Sequence, residues 1–549
     1  METHYKKIVE DTDKRVQKAL RIQIQELSNP DDGGFPDEYG VIQAKYAIYR
    51  VVPMISAYYC MESCFYQKKS LISRILSALK FVERCQHSNG LFDYVLCNFN
   101  SAPDTAFCMK KLIPCYEYLV LHKNGEQEEQ IFSIIERILK QGAKGLCAGG
   151  FHTPNHRWAI TSILLWCARV FQQEDLKTVA KQYLQEGIDC NEDGEYSEKS
   201  AGNYNRINND AMILIASELK DDTYEQYAVR NLTMMLTYLE PDGSIFTANS
   251  TRYDKDYLVY PKDYYLQYLY LGMKYKNEKF LAMASYIFEL IVEKQITAPD
   301  NLIQFLNHPE YRTFIWENTP FSHNFFCLYE DSAIVRANRE TYGYTIMGKK
   351  SSFLYFTLKK LRLEVRLCGS FYEHRSFQAQ NIKKEIDGTI YLSQTMSGWY
   401  YLPFDKPPKT SDWNKIDLSS RKKLTGSEYD MKIEASISEI KQGIKLKIKI
   451  SGVAKAPFRL VFALSGVTKL SGNSFLLPVQ GGEQLVVREG MVTAANEEEC
   501  IEFGPGFGKH TLLEAKEYAE QAAAAQATVY FTDFTEWEHT ITIRNCSAD

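Results

Sequence analysis

The hydrophobic period of this chain changes once, near residue 310, and that change restricts what it can fold into. Before it, apolar residues recur at helical spacing in VVPMISAYYCMESCFY, LISRILSALKFVERC, TAFCMKKLIPCYEYLVL, ILLWCARVFQQ and FLAMASYIFELIVEKQI. After it come short β-rich runs such as SSFLYFTL, LRLEVRLCGSFY and FRLVFALSG, with strict alternation in KLKIKIS and HTITIRN. A period near 3.6 and a period of 2 bury different faces, so the two halves need separate cores.

Within the helical half, helix pairs alternate with loops of one flavour, rich in Gly and aromatic residues. These are DDGGFPDEYG (31–40), HSNGLFDYV (87–95), AGGFHTPNHR (148–157), NEDGEYSEKSAGNYN (191–205) and PDGSIFTANSTRYD (241–254). They return at intervals of roughly 50–60 residues, a loose internal repeat. Helix pairs that cannot bury their inner face alone must stack, into an open solenoid or a closed ring. The irregular units favour a ring, which gathers the loops around one end of a cavity. The predicted fold class is multidomain α+β: an N-terminal (α/α) toroid (incomplete barrel) over residues 1–315, then a C-terminal antiparallel β-sandwich over 316–549. Inside the second part, 403–427 reads as a long surface loop, and AKEYAEQAAAAQAT as a helix-prone insertion.

A formal net charge of -5 on 549 residues gives no support for a nucleic-acid partner. The 13 cysteines include no CxxC pair and read mainly as small buried residues of a reducing compartment. The opening METHYKKIVEDTDKRVQKAL lacks the apolar core of a signal peptide. No apolar run approaches the ~18–20 residues of a membrane span. The expectation is a cytoplasmic protein with no membrane partner, unless a leader has been removed.

The densest polar cluster beside an apolar helix lies in GGFHTPNHRWAITSILLWCARVF (149–171), where His152, Asn155, His156 and Arg157 precede a hydrophobic run. Such groups are costly to place against a core without a task. Asn155 falls near the helix start, where its side chain caps or reaches a ligand. His152 and His156 are four apart, but Pro154 interrupts the face between them, no HExxH is present, and no metal is expected.

The Asn155-His156 pair ahead of this helix, together with DGEYSEKSAGNYNRINNDAM (193–212), resembles the heparinase II/III-like polysaccharide lyase superfamily, whose members combine a toroid with a sandwich. The resemblance implies that the toroid is the catalytic domain. It also implies β-elimination across a 4-linked uronic acid to give a 4,5-unsaturated uronate, without a cofactor. That chemistry must neutralise a carboxylate before the adjacent proton can leave, and it needs a base for that proton and an acid for the leaving oxygen. By resemblance, Asn155 binds the carboxylate, and His156 and Tyr204 share the acid/base work. His374 is the candidate from the β-domain, with His323 second. The further substrate-binding candidates are His152, Arg157, Arg206, Trp158, Tyr196, Tyr253 and His323, and the expected partner is an acidic oligosaccharide or polysaccharide containing uronic acid. As a base, Tyr204 needs its pKa pulled down by cations; as an acid it does not. Two other readings stay open. One is a hydrolase of unsaturated glucuronides on the same toroid, with carboxylates drawn from Asp32, Asp93, Asp104, Asp210 and Asp254. The other is a non-catalytic carbohydrate-binding protein.

Overall fold

The computed structural model describes residues 2–148, 153–314, 319–419, 421–513 and 525–546. The chain forms two compact units: Met1–Leu236 with Ile245–Phe321, and Thr237–Ser244 with Ser322–Asp549. The domain boundary expected at 315/316 falls among residues outside those described. The short segment 237–244, read from sequence as part of the helical half, belongs with the strands.

The first unit is an (α/α) toroid. Its helices are α1 (Glu2–Ile22), α2 (Ala44–Tyr59), α3 (Lys69–Cys85), α4 (Ala102–His122), α5 (Glu126–Ala148) and α6 (Pro154–Phe171). They continue as α7 (Glu174–Leu184), α8 (Tyr204–Leu219), α9 (Asp222–Met235), α10 (Tyr265–Tyr275) and α11 (Glu278–Glu293), followed by short turns. Each helix packs on its sequence neighbour in the pairs α2/α3, α4/α5, α6/α7, α8/α9 and α10/α11. The first members also pack in succession, α2 on α4, α4 on α6 and α6 on α8, while α3, α5 and α7 pack behind them. The sequence explains the two layers. Outer helix α3 buries one stripe, Leu71, Ile72, Ile75, Leu79 and Val82. Inner helix α6 is buried all round, from Trp158 through Ala168, as a helix covered on every side must be. A small hairpin, β1 (Phe92–Tyr94) and β2 (Asn98–Ser101), leads into α4.

The second unit is a β-sandwich, of two nine-stranded sheets among the described residues. One sheet centres on Gly443–Ser451, flanked by Lys423–Ile440 and Trp537–Asn545. The other centres on Arg362–Phe371, flanked by Pro457–Ser465 and Ser352–Thr357. Alternation sets the faces: Ile444, Leu446, Ile448 and Ile450 point into the shared core with Leu460, Phe462, Phe503 and Phe531, while the intervening lysines point out. Three details differ from expectation. Glu483–Val486 runs parallel to Ala527–Phe534, and Gly508 bridges Thr532 in parallel, whereas the other strand pairs among the described residues of the sandwich are antiparallel. The region read as a loop over 403–427 already enters a strand at Lys423. Cys500 and Cys546 form a disulfide, so two of the cysteines are not reduced thiols; the other eleven are outside disulfides. Most of the alanine-rich AKEYAEQ stretch lies outside the described residues.

Candidate functional site

Three loop segments of the helical unit meet because their backbones are pinned to one another. The 191–203 loop turns at Gly194, whose φ of 95° suits glycine, and where a Cβ would sit 2.5 Å from the Arg230 carbonyl oxygen. Tyr196 anchors it, donating to Asn209 Oδ1 at 3.1 Å. The 250–254 loop then docks on it. Thr251 donates from its hydroxyl to the Glu198 carbonyl at 2.8 Å, and the Asp254 carboxylate accepts from Ser200 (2.8 Å), Ser250 (2.7 Å) and the Gly202 amide (3.0 Å). The first turn of α6 completes the cluster: the Asn155 amide N–H donates to Glu198 Oε2 at 3.2 Å.

These pins bring Asn155, Glu198, Arg252, Tyr204 and Tyr253 together. Asn155 is not the helix cap; Thr153 precedes Pro154 in that place, and Asn155 lies one residue further in. Its side chain is fully buried, Oδ1 accepts from the Thr153 hydroxyl at 3.0 Å, and Nδ2 has no hydrogen-bond partner among the described residues. A buried amide donor left open is expensive unless something fills it. Glu198 pairs with Arg252 Nε at 3.4 Å. Burial pushes its carboxyl up to about 7; the Asn155 amide and Arg252 oppose that, and the charges of Asp189 and Asp254 add to it. Arg252 also lies 5.4 Å from the Tyr204 ring. Tyr204 starts α8, with its N–H on Ser200 Oγ at 3.1 Å and its ring edge-on to Tyr253 at 5.8 Å. Burial raises the Tyr204 phenol, Tyr253 adds to this, and Arg252 pulls it back by charge and hydrogen bonding. The Tyr253 hydroxyl accepts from Asn203 Nδ2 at 2.6 Å, and Asn203 Oδ1 accepts from Arg206 at 3.3 Å. His156, beside Asn155, lies with its ring 5.9 Å from that of Phe107 on α4.

Other expected contacts sit elsewhere. Trp158 is fully buried and donates its indole N–H to Asp189 at 2.5 Å; it is core, with no face for a sugar. Tyr196 is likewise buried and acts as the loop anchor. Arg157 stacks on Trp158 at 4.1 Å and pairs through Nη1 with Glu186 at 2.6 Å, while its Nε has no hydrogen-bond partner among the described residues. His152 lies outside the described residues. His374 belongs to the second unit, where its ring stands 3.3 Å from the Ser397 carbonyl oxygen; His323 belongs there too, its pKa lowered by burial.

Glu198 and Arg252 were missed as functional candidates. Glu198 stands inside the DGEYSEKSAGNY loop, and Arg252 inside the last Gly-aromatic loop, so both had a positional signal. Of the carboxylates considered for hydrolysis, each is tied down. Asp104 accepts from Ser101, Lys45 and Asn98, Asp210 from Lys110 and Gln267, and Asp93 pairs with His87. Asp32 accepts from the Glu26 amide at the surface, and Asp254 is saturated as above.

Glu198 yields a stability test. Its native pKa lies above the ordinary 4.5, so the folded state holds a proton that the unfolded state releases between about 4.5 and 7. Stability from this group is present below that window and is lost as pH rises through it. Glu198→Gln is expected to flatten the pH dependence of the unfolding temperature across this window; an unchanged profile would refute the assignment.

No protein-family model and no curated protein matches this chain. Solved structures do. The Streptomyces coelicolor A3 chondroitin AC lyase, determined in complex with chondroitin sulphate, aligns with a TM-score of 0.53 and 10% identity over 100% of this chain and 80% of that one. Another chondroitinase AC lyase, determined with oligosaccharides, aligns at 0.47 with 10% identity over 98% and 82%. The unsaturated glucuronyl hydrolase of Bacillus sp. GL1 aligns at 0.33 with 10% identity over 56% and 83%. At such identity the first of these likenesses speaks to fold alone: this chain has the fold of the toroid-plus-sandwich lyases.

Proposed function

We propose that the protein is a lyase of uronic-acid-containing oligosaccharides or polysaccharides, cleaving a 4-linked uronate by β-elimination. The observation that carries this reading is the buried Asn155 side chain, whose Nδ2 lacks a hydrogen-bond partner among the described residues, on a backbone bonded to Glu198, which pairs with the Arg252 that lies beside the Tyr204 ring. In this reading a uronate carboxylate accepts from Asn155 and takes up the guanidinium of Arg252. Both donors then stabilise the charge that develops when the adjacent proton leaves. His156 and Tyr204 exchange that proton and the one delivered to the leaving oxygen. The resemblance of the Asn155-His156 pair and the Tyr204 loop to heparinase II/III-like lyases supports it, as does a fold shared with a chondroitin lyase. The Cys500–Cys546 disulfide favours an oxidising compartment, where long acidic glycans are accessible.

One observation favours hydrolysis instead: a carboxyl titrating near neutrality is a ready general acid. A glycosidase needs a second working carboxylate, however, and the neighbouring Asp254 already accepts three hydrogen bonds. Products separate the two. Incubation with a panel of uronate oligosaccharides is expected to yield the ultraviolet-absorbing 4,5-unsaturated uronate; cleavage to saturated ends would establish hydrolysis. Asn155→Ala is expected to lower kcat/KM by on the order of 10²–10³. A loss below tenfold would remove Asn155 from the carboxylate site.

A further inference from the structure

The two longest strands among the described residues, Ile390–Tyr401 and Lys423–Ile440, pair with each other and run on past the sandwich core. Ile390, Leu392, Met396, Ile433 and Ile437 belong to that core. After a register shift between Ser397 and Trp399 the pairing continues, with Trp399 opposite Thr425, Tyr400 opposite Leu424 and Tyr401 opposite Lys423. Here the burial ends. Tyr400 is 67% exposed, and Leu402 and Leu424 are exposed as well. Large apolar side chains gathered on a ribbon that has left the core mark a binding surface.

Alternation puts Trp399, Tyr401 and Lys423 on one face of this ribbon. Lys423 Nζ lies 4.1 Å from the centre of the Trp399 ring and 5.4 Å from that of Tyr401. Arg421 lies 4.9 Å from Tyr401 and 5.0 Å from Phe404, and its Nε donates to the Leu402 carbonyl at 2.7 Å. Neither cation forms an ion pair among the described residues. Glu373, on the adjoining turn, accepts the Trp399 indole N–H at 3.0 Å. From 401 to 423 the sequence carries six Lys and Arg against three Asp, on a chain whose formal net charge is -5. Asp405 pairs with Lys422 and Asp412 with Lys415, each at 2.9 Å, and Asp417 accepts from the Ser419 hydroxyl at 2.6 Å. The local excess of positive charge therefore rests on Arg421, Lys423 and the exposed Lys406 and Lys409.

Cations set over aromatic rings without a carboxylate suit a ligand that is anionic and has an apolar face. A chain of acidic sugars supplies both, since each pyranose has a C–H face and carries its carboxylate or sulfate on the rim. We infer that this ribbon is a second binding site, for an acidic polysaccharide chain, formed by the β unit and taking no part in bond cleavage. The choice of a glycan over other polyanions rests on the uronate reading above; the ribbon and its charges do not. Nucleic acid is the poorer match, because the negative charge of the whole chain opposes it.

The test is electrophoresis of the full chain through gels containing chondroitin sulfate, hyaluronan or alginate, with Tyr204→Phe in the background to suppress turnover. At least one glycan is expected to retard the protein, and Arg421→Gln with Lys423→Gln to weaken that binding by about tenfold. The charge-keeping pair Arg421→Lys with Lys423→Arg should stay within about threefold. Matching unfolding midpoints show that both variants are folded. With Tyr204 intact, the Gln variant should keep kcat/KM on a tetrasaccharide and lose it on the polymer. Retardation by no glycan, equal retardation of the Gln variant, or stronger retardation by single-stranded DNA or anionic vesicles would overturn the inference. Product assays keep the two readings apart. Unsaturated product with binding that ignores the Gln substitutions ends the inference and leaves the lyase. Binding that depends on Arg421 and Lys423 with no unsaturated product ends the lyase and leaves the ribbon.

Discussion

Tyr204→Phe is expected to reduce turnover by about 10²–10⁴, the span that a positioned proton donor or acceptor contributes. The folded structure should survive, because the substitution keeps what holds the residue in place. Its backbone N–H stays on Ser200 Oγ, and the ring stays edge-on to Tyr253 and beside Arg252. Only the hydroxyl is removed. With its pKa raised by burial, the native phenol is neutral at neutral pH and carries the proton that a leaving oxygen needs. To serve as a base it must first lose that proton, and Arg252 is the group on hand to lower that cost. Tyr253→Phe is the matched control. It removes a hydroxyl from the neighbouring ring, whose bond to Asn203 is positional, and should cost less than tenfold. Steady-state kinetics with thermal unfolding of both variants decides the matter. A Tyr204→Phe enzyme retaining more than a tenth of wild-type turnover would take the proton transfer away from this residue.

How much of this was legible in the sequence depends on the range of the interactions involved. The helices of the toroid and the strands of the sandwich follow from local periodicity, as in the α3 stripe and the alternating Gly443–Ser451 strand. Asn155 stood out as a polar residue at the start of an apolar helix, and Tyr204 through the resemblance of its loop to that of the heparinase II/III-like lyases. Arg252 did not, since its place depends on Asp254 reaching Ser200 and Gly202 more than fifty residues away. Trp158 and Tyr196 mark the opposite failure. An aromatic residue beside a polar loop reads the same whether it faces a ligand or the core, and only burial tells them apart. The same limit hid the place of Thr237–Ser244, which follows α9 in the chain yet belongs to the β unit.

That last assignment makes Arg336 the residue whose loss should most damage the β unit. It is 1% exposed on an interior strand, Ile334–Asn338, and its guanidinium is spent on the 237–244 segment. Nε donates to the Thr237 carbonyl at 3.0 Å, and Nη2 to the Leu239 carbonyl at 2.9 Å. Nη1 donates to Glu240 at 3.0 Å and to the Thr345 hydroxyl. Arg336→Ala leaves a carboxylate and two backbone carbonyls without this donor, and opens a cavity the size of a guanidinium and its stem. Removing one partner of a buried pair costs about 3–5 kcal/mol, because the surviving charge stays desolvated. At roughly 2–4 °C per kcal/mol for a unit of this size, the unfolding midpoint should fall by about 6–20 °C. Glu240 keeps one donor, the Thr357 hydroxyl at 2.7 Å, so the lower part of that range applies if the segment relaxes toward it. Arg336→Met with Glu240→Gln should recover part of the loss by removing the stranded charge. Calorimetry of the full chain checks both variants. A midpoint within about two degrees of wild type for Arg336→Ala would mean that the 237–244 segment is held by its backbone and by the Thr237–Tyr329 hydroxyl pair at 2.7 Å, and not by the arginine.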